Sequence, residues 1–290
     1  MIVRRRRIWD DSINKVLLFE EESLKRLNVR FVGKMGADYG GPTREFFAIL
    51  LQGAPILSGL ENSHVFLRDA MRLDRREYEA FGRLVALALL HKCAGPHNLS
   101  RSLVDYIIDP ENIVYNPNYI PDFEVRKLAL QLMKCKTTES MNMLSELDDI
   151  RIDAGYNNAV VTIQDRDIII NKICKHNVIT KQLEEIQQFT TGLNICGVLS
   201  ALKKHKEEAT KELTYHSCLL TADKIRSLFE IKYTEGASAT EKTKEEDIFY
   251  HFANFLDELD NIASGKRNSW DVIDVSTEDD PQEVTKKDIT

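Results

Sequence analysis

The 290-residue sequence lacks any run that approaches the roughly 18 consecutive apolar residues needed to span a bilayer. Its basic start, MIVRRRRIWDD, has no apolar segment behind it, unlike a secretory signal peptide. The five cysteines are few, odd in number and never closely paired. This usage argues against a disulfide framework and for a reducing compartment. We therefore expect no membrane partner, and we expect a cytoplasmic or nuclear protein.

An excess of positive charge is also missing, since the formal net charge at pH 7 is −7. A general nucleic-acid binder needs a dominant basic face, so we expect no nucleic-acid partner. One basic run, at residues 4–7, is followed by Ile8, Trp9 and two aspartates. This run is compatible with a nuclear targeting signal or a phosphate-binding patch, and also with an edge strand or a solvated arm.

Close groups of metal ligands and a nucleotide motif are absent from the sequence. Common zinc sites need two close pairs of the Cys-x-x-Cys kind. The nearest approximations are His91 with Cys93 and His216 with Cys218. The glycine-rich turn at residues 36–41 lacks the Lys-Ser/Thr of a P-loop. We therefore expect no metal and no cofactor.

The helical spacing of apolar residues dominates the rest of the chain. Because 43% of the residues are hydrophobic, the chain can bury a full core in one large or two smaller domains. Two β-like runs stand at 29–32 and 159–163, and a polar loop is predicted at 236–244. The fold class that this pattern predicts is α+β and predominantly helical. Helices are predicted over residues 11–28, 42–51, 78–89, 103–108, 125–133, 165–173, 179–189, 195–202, 221–229 and 248–259.

The most informative stretch is GADYGGPTREFFAILL, at residues 36–51. Gly40 and Gly41 permit a turn with backbone angles that other residues resist. Pro42 suits the first position of the helix that follows, where a missing N–H costs nothing. The spacing of the next apolar residues predicts one buried stripe made of Phe46, Phe47, Leu50 and Leu51.

A second motif, FGRLVALA, occupies residues 81–88. The apolar face of its helix is so wide that the helix should be central to the fold. Arg83 lies within this face and should be paired with an acid, because an unpaired buried charge is costly. Glu45 is one candidate for that acid among several.

The order of residues in these two motifs resembles the HECT domain of ubiquitin ligases. The first motif is similar to the opening of that domain, since an apolar strand is followed by a glycine, an aspartate, Gly-Gly and then Arg-Glu-Phe-Phe. The second motif is similar to the domain's Phe-x-Gly-Arg-hydrophobic-x-x-x-Ala helix. Weaker similarity follows at 192–202 and 221–229. Within the family, the spacing most resembles the gap-two/mitosis phase-specific group. The motif residues are Gly40, Gly41, Arg44, Glu45, Phe46, Phe47, Gly82 and Arg83.

The resemblance implies a HECT N-terminal lobe with a small inserted subdomain. Its partners would be a ubiquitin-conjugating enzyme and ubiquitin. The implied division is a large lobe at 1–137 and 203–265, a small docking subdomain at 138–202, and an acidic linker at 266–290. Adaptable methionines suit a partner groove. The candidate partner-binding residues, for which core packing is the alternative role, are Met141, Met143, Leu144 and Leu147.

The resemblance also implies a catalytic cysteine, which the family carries in a C-terminal lobe within Leu-Pro-x-Ala-x-Thr-Cys-x-Asn. Here no cysteine follows a threonine, so we expect that lobe to be absent and this chain alone to form no thioester. Cys135, between two lysines, has the most electropositive sequence neighbourhood. We assign no catalytic residue. The alternative hypothesis is a non-catalytic interaction module of the same fold that binds a conjugating enzyme or ubiquitin.

Overall fold

The computed structural model describes residues 1–20, 27–33, 40–60, 62–216, 221–236 and 238–263. The chain divides into two compact units after His216. The second unit contains α13 (Ala222–Ser227) and α14 (Ala239–Ala263). The helices of the first unit are α1 (Ile8–Leu18), α2 (Gly41–Gln52), α3 (Ala70–Asp74), α4 (Glu77–Leu90), α5 (Arg101–Ile108), α6 (Phe123–Lys134), α7 (Thr138–Asn142), α8 (Leu147–Asp153), α9 (Arg166–Val178), α10 (Leu183–Leu193), α11 (Val198–Lys204) and α12 (Lys206–Leu213). The fold is therefore predominantly helical, as the apolar spacing predicted.

Four short strands occur in the described part of the first unit. Strand β1 (Ile2–Val3) pairs in parallel with β2 (Arg30–Phe31), which confirms extended structure in the run at 29–32. Strands β3 (Leu57–Leu60) and β4 (Ser63–Phe66) form an antiparallel hairpin. Leu99 then forms parallel bridges with both His64 of β4 and Thr214.

The β-like run at 159–163 is not a strand, so that prediction was wrong. Residues 159–162 are irregular, and Ile163–Asp165 is a short 3-10 helix. Val160 is 78% exposed, and no described strand lies beside the run. A β-rich sequence forms a strand only when a neighbouring strand takes its backbone hydrogen bonds.

The start of α2 explains one of the two paired glycines. Gly40 has φ of +99°, a left-handed conformation that favours glycine. Gly41 is already the first residue of α2, and its φ is not positive. Pro42 is consequently the second helical residue rather than the first, a position whose N–H also has no partner within the helix. Of the two described glycines, it is Gly40 that supplies the unusual backbone angle.

Helix α4 lies at the centre of the first unit, and most of its residues are buried. Phe81 contacts Trp9 of α1 and Phe189 of α10, with ring centroids 6.0 Å and 5.7 Å apart. The predicted stripe of α2 is fully buried, and the rings of Phe46 and Phe47 meet edge to face at 5.0 Å. The prediction of a central helix and a buried aromatic stripe is confirmed.

Helices α4 and α10 cross at two glycines that let their backbones touch. A Cβ atom on Gly82 would lie 2.2 Å from the carbonyl oxygen of Phe189. A Cβ atom on Gly192 would lie 1.9 Å from the carbonyl oxygen of Glu79. Both distances are far below van der Waals contact, so each position excludes any side chain. The glycine of the second motif thus sets the spacing of the central helix pair.

Arg83 pairs with an acid, as the sequence predicted. Its Nη2 donates to Oε1 of Glu79 at 3.2 Å, one helical turn earlier on α4. Glu45, the candidate named from the sequence, was the wrong partner. Both of its carboxylate oxygens accept bonds from Arg5, at 2.7 Å and 2.8 Å. The guanidinium of Arg5 also lies 4.1 Å from the ring centre of Phe31, so part of the basic run is structural.

Several helix boundaries differ from the sequence prediction, among them the end of α1 and the start of α14. Helix α1 ends at Leu18, because Phe19 is extended, and Leu24 lies outside the described residues. Helix α14 begins at Ala239, inside the predicted polar loop. The reason is a reciprocal cap, in which Ser238 donates to the Glu241 carboxylate at 2.8 Å and Glu241 N–H faces the Ser238 hydroxyl at 3.4 Å.

The second unit is a pair of packed helices. Thr221 caps α13, and Ala222 N–H donates to Asp260 of α14 at 2.8 Å. Arg226 pairs with Asp257 at 2.6 Å. The predicted acidic linker at 266–290 lies outside the described residues, and the four-part division of the lobe stays a prediction. Among the described helices, none combines the length and apolar character required to cross a membrane.

Candidate protein-docking groove

The candidate groove lies where the chain passes from α6 through α7 to α8. Helix α7 begins at a reciprocal cap: Thr137 Oγ1 accepts from Ser140 N–H at 3.2 Å, and Thr137 N–H donates to Ser140 Oγ at 3.3 Å. Tight backbone bonds follow, from Leu144 N–H to Met141 C=O and from Leu147 N–H to Leu144 C=O, both 3.0 Å. These local bonds fix the short segment between α7 and α8.

The groove itself has a volume of about 300 Å³. Glu124, Lys127 and Gln131 of α6 form one wall, and Leu128 lies at its base with most of its surface buried. The opposite wall is the segment that contains Met143, Leu144, Ser145 and Glu146. Lys127 and Glu124 face each other at 3.8 Å. The groove is therefore a small apolar base with charged edges, which suits contact with another protein surface.

The four candidate partner-binding residues separate into two pairs. Met141 and Leu147 are buried in the core and support the segment from within. Met143 is 82% exposed, and Leu144 is half-buried at the groove wall. Only the second pair is accessible to a partner. For that pair, partner binding stays a prediction.

The walls contributed by α6 were not found from the sequence. Lys127 and Gln131 occupy the polar face of an amphipathic helix, and nothing in that pattern distinguishes them from ordinary solvated residues. Their position in the groove depends on how the segment from Met143 to Glu146 lies beside α6. A local pattern contains no signal for that packing.

The segment after α8 is anchored by a buried arginine. Arg151 Nε donates to Asp148 at 2.7 Å, and its Nη1 donates to the carbonyl oxygens of Tyr156 and Asn158, both at 2.9 Å. The guanidinium thus satisfies two backbone carbonyls that would otherwise need water. These bonds hold the end of α8 to the residues that follow it.

The described cysteines of the first unit differ in burial, and Cys196 is only partly buried. Cys93, Cys135 and Cys174 are buried. Burial raises the pKa of the Cys174 thiol to about 12, so its thiolate is strongly disfavoured. Cys135, whose lysine neighbours suggested reactivity, directs its thiol to the carbonyl of Gln131 at 3.5 Å. Cys218 lies outside the described residues.

The described part of the chain also holds no group of three histidine, cysteine, aspartate or glutamate side chains suited to a metal ion. His97 and His216 do approach each other, with ring centroids 5.7 Å apart. His97 also lies beside a carboxylate, since its Nε2 is 3.7 Å from Oε2 of Glu212.

No protein-family model matches the chain. Among curated proteins, it is 24% identical over 201 residues to the G2/M phase-specific E3 ubiquitin-protein ligase of Gallus gallus, covering 67% of this chain and 26% of that protein. It is 20% identical over 239 residues to the protein of the same name from Homo sapiens, covering 80% and 34%. It is 25% identical over 217 residues to the E3 ubiquitin-protein ligase UPL2 of Arabidopsis thaliana, covering 66% and 6%.

The chain therefore spans about a third or less of the length of these relatives. The alignments are of modest identity, yet they extend over most of this chain and converge on one kind of protein. The names of these relatives agree with the resemblance to HECT domains that was inferred from the glycine turn before α2 and from the Gly-Arg pair of α4. The curated homologues of this chain are HECT E3 ubiquitin ligases, with the G2/M phase-specific ligase among them.

Proposed function

We propose that this chain is a HECT-type N-terminal lobe, with a small inserted subdomain at 138–202, that recruits a ubiquitin-charged conjugating enzyme for protein ubiquitination. The observation that carries the proposal is the similarity to E3 ubiquitin ligases along 67–80% of the chain. Its partners are a conjugating enzyme and ubiquitin, in the cytoplasm or the nucleus. The contribution of such a lobe is proximity: it holds the charged enzyme near an acceptor thiol and so raises the local concentration of the reactive thioester.

The groove beside Met143 is the proposed docking site. An exposed methionine offers a flexible, polarizable side chain that adapts to a partner surface. The charged groups at the edges of the groove, Glu124, Lys127 and Glu146, would fix the orientation of the partner rather than supply most of the affinity. The backbone bonds from Leu144 to Met141 and from Leu147 to Leu144 would keep the groove wall in place before the partner arrives.

A second candidate function keeps the same fold without transfer. In this case the chain is an interaction module that binds a conjugating enzyme or ubiquitin. The burial of Cys93, Cys135 and Cys174 favours it, because a transfer enzyme needs an accessible thiolate. The two candidates differ in one measurable property, namely whether a HECT catalytic lobe can use this chain.

We expect the 290-residue chain alone to form no thioester with ubiquitin. Three of its cysteines are buried, and none follows the threonine that the HECT motif requires. The measurement mixes the chain with ubiquitin, activating enzyme and a panel of conjugating enzymes, and compares gels run with and without reductant. A reductant-sensitive adduct that disappears when one cysteine, Cys218 included, is replaced by serine would contradict the expectation.

The same assay separates the two candidate functions when a HECT catalytic lobe is joined after Thr290. Restored thioester formation on the added lobe, and its loss when that lobe's cysteine is replaced, would support the transfer function. If the fusion binds the conjugating enzyme but transfers nothing, the interaction module is favoured. If neither the chain nor the fusion binds a conjugating enzyme or ubiquitin, both candidate functions are overturned.

We expect Met143→Ala to weaken binding of the conjugating enzyme by about tenfold, since a truncated interface anchor costs more than about 1 kcal/mol. Titration calorimetry with an uncharged conjugating enzyme checks this. The matched control is Met133→Ala, because Met133 is 51% exposed on α6 but does not line the groove. Equal effects of the two variants would place the docking site elsewhere.

A further inference from the structure

A second cleft opens on the first unit, apart from the docking groove. It lies at the turn of the β3–β4 hairpin, beside the start of α5 and the 3-10 helix Pro117–Tyr119. Its volume is about 550 Å³, nearly twice that of the groove at Met143. The base is formed by the buried Leu99, at the point where its backbone bridges the segments of His64 and Thr214. The cleft is therefore built on paired backbone rather than on a loop.

The walls of this cleft present hydrogen-bonding groups that have no described partner. Asn62 stands at the hairpin turn, and Asn118 stands opposite on the 3-10 helix with its side-chain amide free. The hydroxyl groups of Tyr119 and Tyr215 likewise make no bond to a described residue. Side-chain amides donate and accept at once, which matches the alternating N–H and C=O groups of an extended backbone.

Among the described residues that line the cleft, Arg101 is the charged one. Arg101 Nε donates to Asp105 at 2.6 Å, which holds the guanidinium in place. Its two terminal amino groups make no bond to a described residue. Asp105 is almost fully buried beneath it, and no carboxylate is found among the described residues that line the cleft. A fixed guanidinium with free donors is the group best suited to hold a carboxylate.

We propose that this cleft binds a short, extended peptide segment that carries an aspartate or glutamate. Arg101 holds the carboxylate, the amides of Asn62 and Asn118 bond to the peptide backbone, and the rings of Tyr119 and Tyr215 pack against its side chains. The occupant is polypeptide because the free groups match a repeating amide backbone. It is acidic because the guanidinium of Arg101 is held by its Nε bond to Asp105 and keeps two amino groups that can bind a carboxylate. This binding is independent of ubiquitin transfer and of the groove at Met143.

The experiment uses the full 290-residue chain and a displayed library of random eight-residue peptides. Enriched peptides are synthesised, and each acidic residue is replaced by its amide in a second peptide. Fluorescence anisotropy then measures both peptides against the wild-type chain. The expected result is enrichment of peptides with aspartate or glutamate, and binding at least tenfold weaker for the amide peptides.

Two variants locate the binding in the cleft. Asn118→Ala removes an exposed amide with no structural bond, and should weaken binding about two- to tenfold, as the loss of one hydrogen bond predicts. Arg101→Gln should remove the preference for the acidic peptide over its amide form. The matched controls are Asn142→Ala and Arg75→Gln, which change exposed residues outside the cleft and should leave binding unchanged.

Because Arg101 covers the buried Asp105, thermal unfolding checks that the Arg101→Gln variant is folded. If Arg101→Gln does not fold, the effect of Asn118→Ala on peptide binding decides whether the cleft is the binding site. Selection of peptides without acidic residues, or binding that Asn118→Ala leaves unchanged, would overturn the proposal. A preference for acidic peptides that survives in a folded Arg101→Gln would also overturn it.

Discussion

Gly192→Ala is expected to lower the free energy of unfolding by more than about 3 kcal/mol, the upper end of the cost of overpacking a core. The added Cβ would stand 1.9 Å from the Glu79 carbonyl oxygen. That oxygen belongs to the backbone of α4, so no side-chain rotation relieves the overlap. The two helices must separate, and the contacts of Phe81 with Phe189 are lost with them. Urea denaturation followed by circular dichroism measures the effect.

The matched control for this variant is Gly41→Ala. A Cβ at Gly41 meets no described atom within 4 Å, and the residue already has a helical backbone. This substitution is expected to be neutral or stabilising by up to about 1 kcal/mol, because it reduces the freedom of the unfolded chain. If Gly192→Ala and Gly41→Ala gave the same stability, the close helix crossing would be refuted.

Phe47→Ala is expected to cost about 3–5 kcal/mol, the usual loss for a truncated core aromatic. The ring is fully buried and packs edge to face against Phe46. Its removal leaves a cavity in the aromatic part of the core, which the surrounding helices fill only partly. Chemical denaturation gives the difference in unfolding free energy between the variant and the wild-type chain.

Ile49→Ala on the same helix is the control, since Ile49 is 37% exposed and lies outside the buried stripe. Its loss should stay below about 1 kcal/mol. A loss for Phe47→Ala below that value would contradict the assignment of Phe47 to the core.

The buried stripe of the first motif and the central helix of the second were predicted correctly because their patterns are local. Phe46 and Phe47 recur at helical spacing with the next apolar pair, and such a stripe has to be buried whatever covers it. Gly82 was placed in the motif by resemblance, but its physical role could not be read from the sequence. That role depends on Phe189 and Gly192, and no local pattern joins residues so far apart.

The predictions that failed depended on partners that the sequence does not name. The run at 159–163 has β-forming residues, but no strand in the described part of the chain lies beside it. Arg83 needed an acid, and the nearest turn of its own helix supplied Glu79 in place of Glu45. The docking segment shows the same limit: methionine spacing pointed to the segment, but only packing separated the buried Met141 from the exposed Met143.

The glycine crossing has a consequence for how the protein is made. Gly82 and Gly192 are about 110 residues apart along the chain. At about 5–20 residues per second, α10 leaves the ribosome roughly 5–20 seconds after α4. During that interval the broad apolar face of α4 has no α10 to cover it. Loop closure over this separation also slows folding from the unfolded state. The nascent chain therefore passes through a stage at which the apolar face of α4 is exposed to solvent.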